Sequence, residues 1–242
     1  MAKPTQPETP VVAPERASAH PGWWTSLAVL TLTWLGIPFL AVGAAFPWYL
    51  FRRANPELSR GLTPAIRWGL AAWVTAVAMT ALAGSRALRA IPFGADAASS
   101  ARAWIEGSGA VPSWTAMAIA TVVFAAAAAV SPGILGAIAL IHVVLITAVH
   151  AAVVFSSSSN VLGACVVALP VWSALLLAGM ITLLEPLGQW GETTLRRRRG
   201  DGAPTVSRTR LMVGAGLIGA AFAARLVLAE PLGDLLRRVT LP

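Results

Sequence analysis

Residues 133–155 read GILGAIALIHVVLITAVHAAVVF, a run without Asp, Glu, Lys or Arg. A helix needs about 20 apolar residues to cross the hydrocarbon core of a bilayer. Inside lipid its backbone groups must pair internally, which a helix achieves. Only Ser131-Pro132-Gly133 separates this run from the apolar stretch Pro112–Val130, so the two predict a tight antiparallel hairpin. Working outward, four more stretches qualify: Trp23–Phe51, Pro64–Ala83, Asn160–Leu184 and Leu211–Ala229. The first is long and carries Pro38 and Pro47, which predict kinks. Its ends carry Trp23, Trp24, Trp48 and Tyr49, rings that favour the headgroup zone. Pro170 falls inside the fifth stretch, and Pro231 is expected to end the sixth.

Composition agrees. The chain is 57% hydrophobic and only 12% charged, whereas a soluble domain carries about 25% charged residues. So few charges cannot cover a water-facing surface. The expected fold class is therefore all-α: a polytopic integral membrane protein of about six transmembrane helices with short interfacial helices. Residues 1–22, polar and rich in Pro, read as a disordered tail. They hold no apolar core of a cleavable signal peptide. Residues 23–229 form the transmembrane domain, and 230–242 a short interfacial segment. A second interfacial helix is expected over Ala95–Ile105, where Ala97, Ala98, Ala101, Trp104 and Ile105 share one face. The polar stretch 185–210 reads as a loop.

Seventeen of the 18 basic residues are Arg. This bias, with abundant Ala, points to a bacterial chain and hence to the inner (cytoplasmic) membrane. With six spans, ten arginines (Arg52, Arg53, Arg60, Arg67, Arg196, Arg197, Arg198, Arg199, Arg208 and Arg210) fall on one side. Seven basic residues fall on the other, with Arg225 inside the last span. Basic loops stay cytoplasmic, which places both termini outside. Arg52, Arg53 and Arg196–Arg199 are candidate contacts for a partner or for anionic lipid. No direct nucleic-acid binding is expected, because the charges punctuate apolar runs.

Ionisable residues inside spans are the first place to look for function. Glu185 and Glu230 read as helix-end residues, and Arg225 as close enough to its helix end to snorkel. His142 and His150 lie eight residues apart, about 80° around the helix and about 12 Å along it. They cannot share one metal ion, and both read as packing or hydrogen-bonding residues. Cys165 reads as a buried structural thiol. Residues 214–219 match G-x-G-x-x-G, but they sit inside an apolar helix rather than after a strand. The pairs Ala215/Gly219 and Gly216/Ala220 instead read as helix-packing sites, within the chain or between chains. Asn160 after the serines 156–159 reads as an N-cap. No catalytic, cofactor or metal motif is found, so no enzyme is expected.

A membrane regulatory or binding protein that holds a soluble partner through exposed loops fits this pattern. In size, six apolar spans and Arg/Ala-rich composition the chain resembles the polytopic membrane anti-sigma factors, such as the one controlling light-induced carotenoid synthesis. That resemblance implies a cytosolic sigma factor sequestered at the membrane. The alternative is a small permease or transporter subunit, with Pro38, Pro47 and Pro170 breaking helices around a pathway. An enzyme acting on lipid would have to use Arg86, Arg89, Asp96, Arg102 and Glu106, which read instead as surface charges of the interfacial helix.

Overall fold

The computed structural model describes residues 27–47, 49, 62–107, 114–130, 133–199 and 206–240, and every regular element among them is helical. From residue 62 onward these are α1 Leu62–Ala83, α2 Ser85–Ala90, α3 Gly94–Ile105, α4 Trp114–Val130, α5 Ile134–Ser157, α6 Val161–Ala168, α7 Val171–Arg199 and α8 Arg208–Thr240. Four helices are long and apolar enough to cross a membrane: Ile66–Ala83, Ile134–Ser157, Val171–Thr194 and Arg208–Thr240. The apolar part of α4, Thr115–Val130, is shorter, about 24 Å at 1.5 Å per residue.

The stretch that opened the reading, α5, is the centre of the bundle. A helix that is apolar all round can be surrounded by protein. Leu140, Ile141, Val144, Leu145, Ala148 and Val149 of α5 are buried, and α1, α3, α4, α6 and α7 all pack on it. Close contacts fix the direction of each neighbour. Gly136 meets Ala128 and Leu184, and Gly191 meets Ala129. At the other end Trp104 stacks against both His150 and Trp172. So α4 and α7 run antiparallel to α5. Gly214 of α8 packs on Gly179 and Leu183, and its far end reaches Ser158, whose hydroxyl donates to the Val239 carbonyl at 3.0 Å. Hence α8 runs back along α7, in the same direction as α5. One end of the bundle collects Tyr49 against Gly133, the last turn of α7 with Arg196–Arg199 and the start of α8 with Arg208 and Arg210. This is the arginine-rich end. Arg52, Arg53 and Arg60 lie outside the described residues.

Three expected elements fold differently. The first is Trp23–Phe51, whose described part is not one straight helix. It contains short 3-10 turns at Leu32–Leu35 and Leu40–Ala44, with left-handed backbone at Gly36 (φ 70°) and Phe39 (φ 61°). The sequence Ile37-Pro38-Phe39 makes a turn in which the Leu40 N–H donates to the Ile37 carbonyl at 3.2 Å. The same tripeptide recurs as Ile91-Pro92-Phe93, where Gly94 N–H donates to the Ile91 carbonyl at 3.0 Å and Phe93 has φ 56°. Pro followed by a left-handed residue is the pattern of a type II turn, a position that usually takes Gly. A Phe there stores about 1–3 kcal/mol of strain.

The second is Asn160–Leu184, which breaks into α6 and α7 at Leu169, an extended residue (φ −120°, ψ 89°). A residue preceding proline is pushed out of the helical region, and Pro170 then sits just before α7. The Asn160 side chain caps α6 as expected, accepting from Gly163 N–H at 3.1 Å. Cys165, expected to be buried, is exposed on α6.

The third concerns the polar ends. Residues 185–199 are helix, not loop, because α7 runs on through Pro186 to Arg199. Likewise α8 continues through Pro231 to Thr240. A mid-helix proline costs about 3 kcal/mol; here Leu236 is fully buried and Gly233 lies against the Trp104 ring, which offsets that cost. Glu185, Arg225 and Glu230 are therefore mid-helix residues. Arg225 does not snorkel from a helix end: it is 4% exposed, with 15 further residues of α8 beyond it.

Candidate functional site

Between α3, α4, α5 and α7, in the half of the bundle away from the arginine-rich end, lies a cavity of about 500 Å³. Two helical stripes face into it. On α3, Asp96, Ser100 and Trp104 are spaced by four residues, and on α5 so are His142, Ile146 and His150. Residues four apart share a helix face. Thr147, Ser173 and Trp172 complete the polar and aromatic lining, and most of the remainder is aliphatic.

The α2–α3 hairpin carries its stripe along the cavity, from exposed Phe93 and Asp96 to buried Trp104. Its tip is the strained Phe93, whose ring lies edge-on to His142 at 6.1 Å. At the far end of α3, Trp104 lies 5.3 Å from His150 and 6.2 Å from Trp172. These contacts make α3 run beside α5 in the same direction. Asp96, three residues past Phe93, then lies at the level of about residue 144, near the midpoint of α5 at 1.5 Å rise per residue. Helix α3 forms as predicted, with Ala98, Ala101, Trp104 and Ile105 buried on one face and Ala95, Asp96, Ser99 and Arg102 exposed on the other, and it also lines the cavity. Asp96 is exposed, on the side of α3 that borders the cavity. Of the expected outer-loop cluster, Arg86, Arg89, Arg102 and Glu106 are exposed and outside the lining.

Polar capacity in the cavity is incompletely used. The His150 Nε2 is buried and has no hydrogen-bond partner among the described residues. Leaving such an atom unsatisfied costs about 1–3 kcal/mol. Thr147 donates its hydroxyl to the Val144 carbonyl at 2.8 Å. Among the described residues no group of three His, Cys, Asp or Glu could hold a metal ion.

The cavity is closed toward the arginine-rich end by backbone-to-backbone packing. A Cβ built on Gly191 would lie 1.8 Å from the Ala129 carbonyl oxygen, and one on Gly136 would lie 2.8 Å from Ala128 and 2.7 Å from Leu184. At the same level, Arg210 of α8 binds Glu185 of α7 at 2.5 Å, and Gln189 donates to the same carboxylate at 3.1 Å. The opposite side is looser. Helix α3 lines the cavity but makes at most marginal backbone contact with α4 and with α7, so the cavity opens beside α3, where Phe93 and Asp96 are exposed. Next to it α4 presents exposed Ile119, Val122 and Val123, a surface suited to lipid.

The residues singled out in the sequence lie elsewhere. Arg196–Arg199 form the last turn of α7. Ala215, Gly216, Gly219 and Ala220 are exposed, and nothing approaches Gly216 or Gly219 within 4 Å. The intrachain contact uses Gly214 against Gly179 instead. No protein-family model, curated protein or solved structure matches the chain, so function is read from the geometry.

Proposed function

We propose that this protein is a membrane-embedded binding protein that takes a small molecule into the cavity and holds a soluble partner at its arginine-rich end. One observation carries the reading: the cavity opens beside α3, while toward its other end α4, α5 and α7 meet in backbone contact at Gly191 and Gly136. A dead-ended apolar cavity with a few convergent polar groups is the common form of a ligand site. A pathway would need a second opening.

In this reading the chain crosses a bacterial inner membrane six times. The broken stretch around residues 27–49 and the short α4 supply the crossings beyond the four long helices. The arginine-rich end faces the cytoplasm. An anti-sigma role, with a sigma factor held there until the cavity changes occupancy, is the specific form favoured by the overall layout. Purification from native membranes, followed by denaturation and mass spectrometry of what is released, tests the reading. Parent protein should release a small molecule that an Ala120→Phe variant, filling the cavity from α4, does not. Identical release from both removes the cavity from the function.

Transport is the second reading, and the helix breaks at Phe39 and at Leu169-Pro170 favour it. Broken helices surround substrate sites in carriers. Flux of the released molecule across proteoliposomes would replace the binding reading with this one.

A further inference from the structure

We propose that the cavity is a site for an amphiphilic organic cation, an ammonium group attached to an aromatic or apolar body, with Asp96 as its counter-ion. The proposal rests on the binding reading and names the ligand class of that site.

Among the described residues Asp96 is the only formally charged one in the lining. Among the described residues no hydrogen bond or ion pair reaches its carboxylate. The charge stands in the first turn of α3. The side chain is exposed where α3 lines the cavity, so the charge is accessible to a ligand. The floor at Gly191 and Gly136 offers no route onward for a bare ion, which leaves a bound organic cation as the group that fits.

The body of the ligand follows from the other end. Trp104 lies eight residues beyond Asp96 on the same stripe, about 12 Å along the helix. It forms a continuous aromatic wall with Trp172 and His150. A cation seated at Asp96 therefore points its body toward rings that favour aromatic partners. Along the way the Ser100 hydroxyl and the buried His150 Nε2 supply hydrogen bonds. The cavity opens beside α3, next to the apolar face of α4, so the ligand arrives from the lipid phase, where an amphiphile already resides.

Three probes with one body and different heads decide it: 6-phenylhexylamine, 6-phenylhexanol and 6-phenylhexanoate. Binding is measured calorimetrically to the full chain in zwitterionic nanodiscs, with empty discs subtracted. The expected result is saturable one-to-one binding of the amine, at least tenfold tighter than the alcohol, with the carboxylate weakest. Asp96→Asn should bring the amine to the affinity of the alcohol and leave the alcohol unchanged, which also reports that the variant is folded. Asp96→Glu should retain the preference. An amine no tighter than the alcohol, or a preference that survives in Asp96→Asn, overturns the cation assignment. If the alcohol still binds and Ala120→Phe abolishes it, the binding reading stands without the cation. If none of the three probes saturates, both fall.

Discussion

Gly191→Ala tests the floor of the cavity with a single methyl group. The added Cβ would lie 1.8 Å from the Ala129 carbonyl oxygen. A carbon–oxygen contact needs about 3.3 Å, so α4 and α7 must separate locally by roughly 1.5 Å. The obstacle is backbone on a neighbouring helix, so no rotamer change relieves it. Overpacking of a dense core costs about 1–3 kcal/mol, and the upper half of that range applies where backbone must move. For a chain of this size each kcal/mol moves the melting temperature by about 2–4 °C, giving an expected drop of about 4–12 °C in detergent. The assay is thermal unfolding followed by loss of monodispersity. Gly216→Ala and Gly219→Ala are the controls, because nothing lies within 4 Å of either position. At exposed helix positions that exchange gains about 0.5–1 kcal/mol. A Gly191→Ala protein as stable as its parent, or one no worse than the two controls, would refute the close approach of α4 and α7 and with it the closed floor.

Two further outcomes follow from local contacts. Asn160→Ala removes the cap of α6 and should cost about 1 kcal/mol, read as a loss of about 2–4 °C in the same assay; no change would mean the 3.1 Å cap contributes nothing. A double-mutant cycle on Glu185→Gln and Arg210→Gln should give a coupling of about 1 kcal/mol, the upper end for partly exposed pairs, because Glu185 is only 15% exposed. Additive single mutants would show that the α7–α8 ion pair is energetically silent.

Much of the architecture was legible from apolar run lengths. The hairpin of α4 and α5, the position of α1 and the cap at Asn160 all follow from local sequence. Prolines were the main source of misreading. Pro170 breaks its stretch, since the preceding Leu169 leaves the helix, while Pro186 and Pro231 are carried through by packing that sequence does not display. That continuation moved Glu185 and Arg225 from helix ends to helix middles. The cavity was half visible. The spacing of Asp96, Ser100 and Trp104 was in the sequence, as was the repeated Ile-Pro-Phe tripeptide that turns the chain twice. What composition could not supply was the tertiary neighbour: α3 keeps its exposed face but also borders the cavity, with Phe93 against His142, a contact that joins residues 49 positions apart.

The most direct test of a dead-ended cavity is thiol accessibility. Cys165 is the only cysteine, so Cys165→Ala gives a background without thiols, and Ser100→Cys then places one on the cavity wall. In oriented vesicles, a membrane-impermeant thiosulfonate applied at the arginine-rich face should leave this thiol unmodified, while a lipid-soluble maleimide entering beside α3 should label it to completion. Modification from the arginine-rich face would contradict the closed floor and make the cavity part of a pathway.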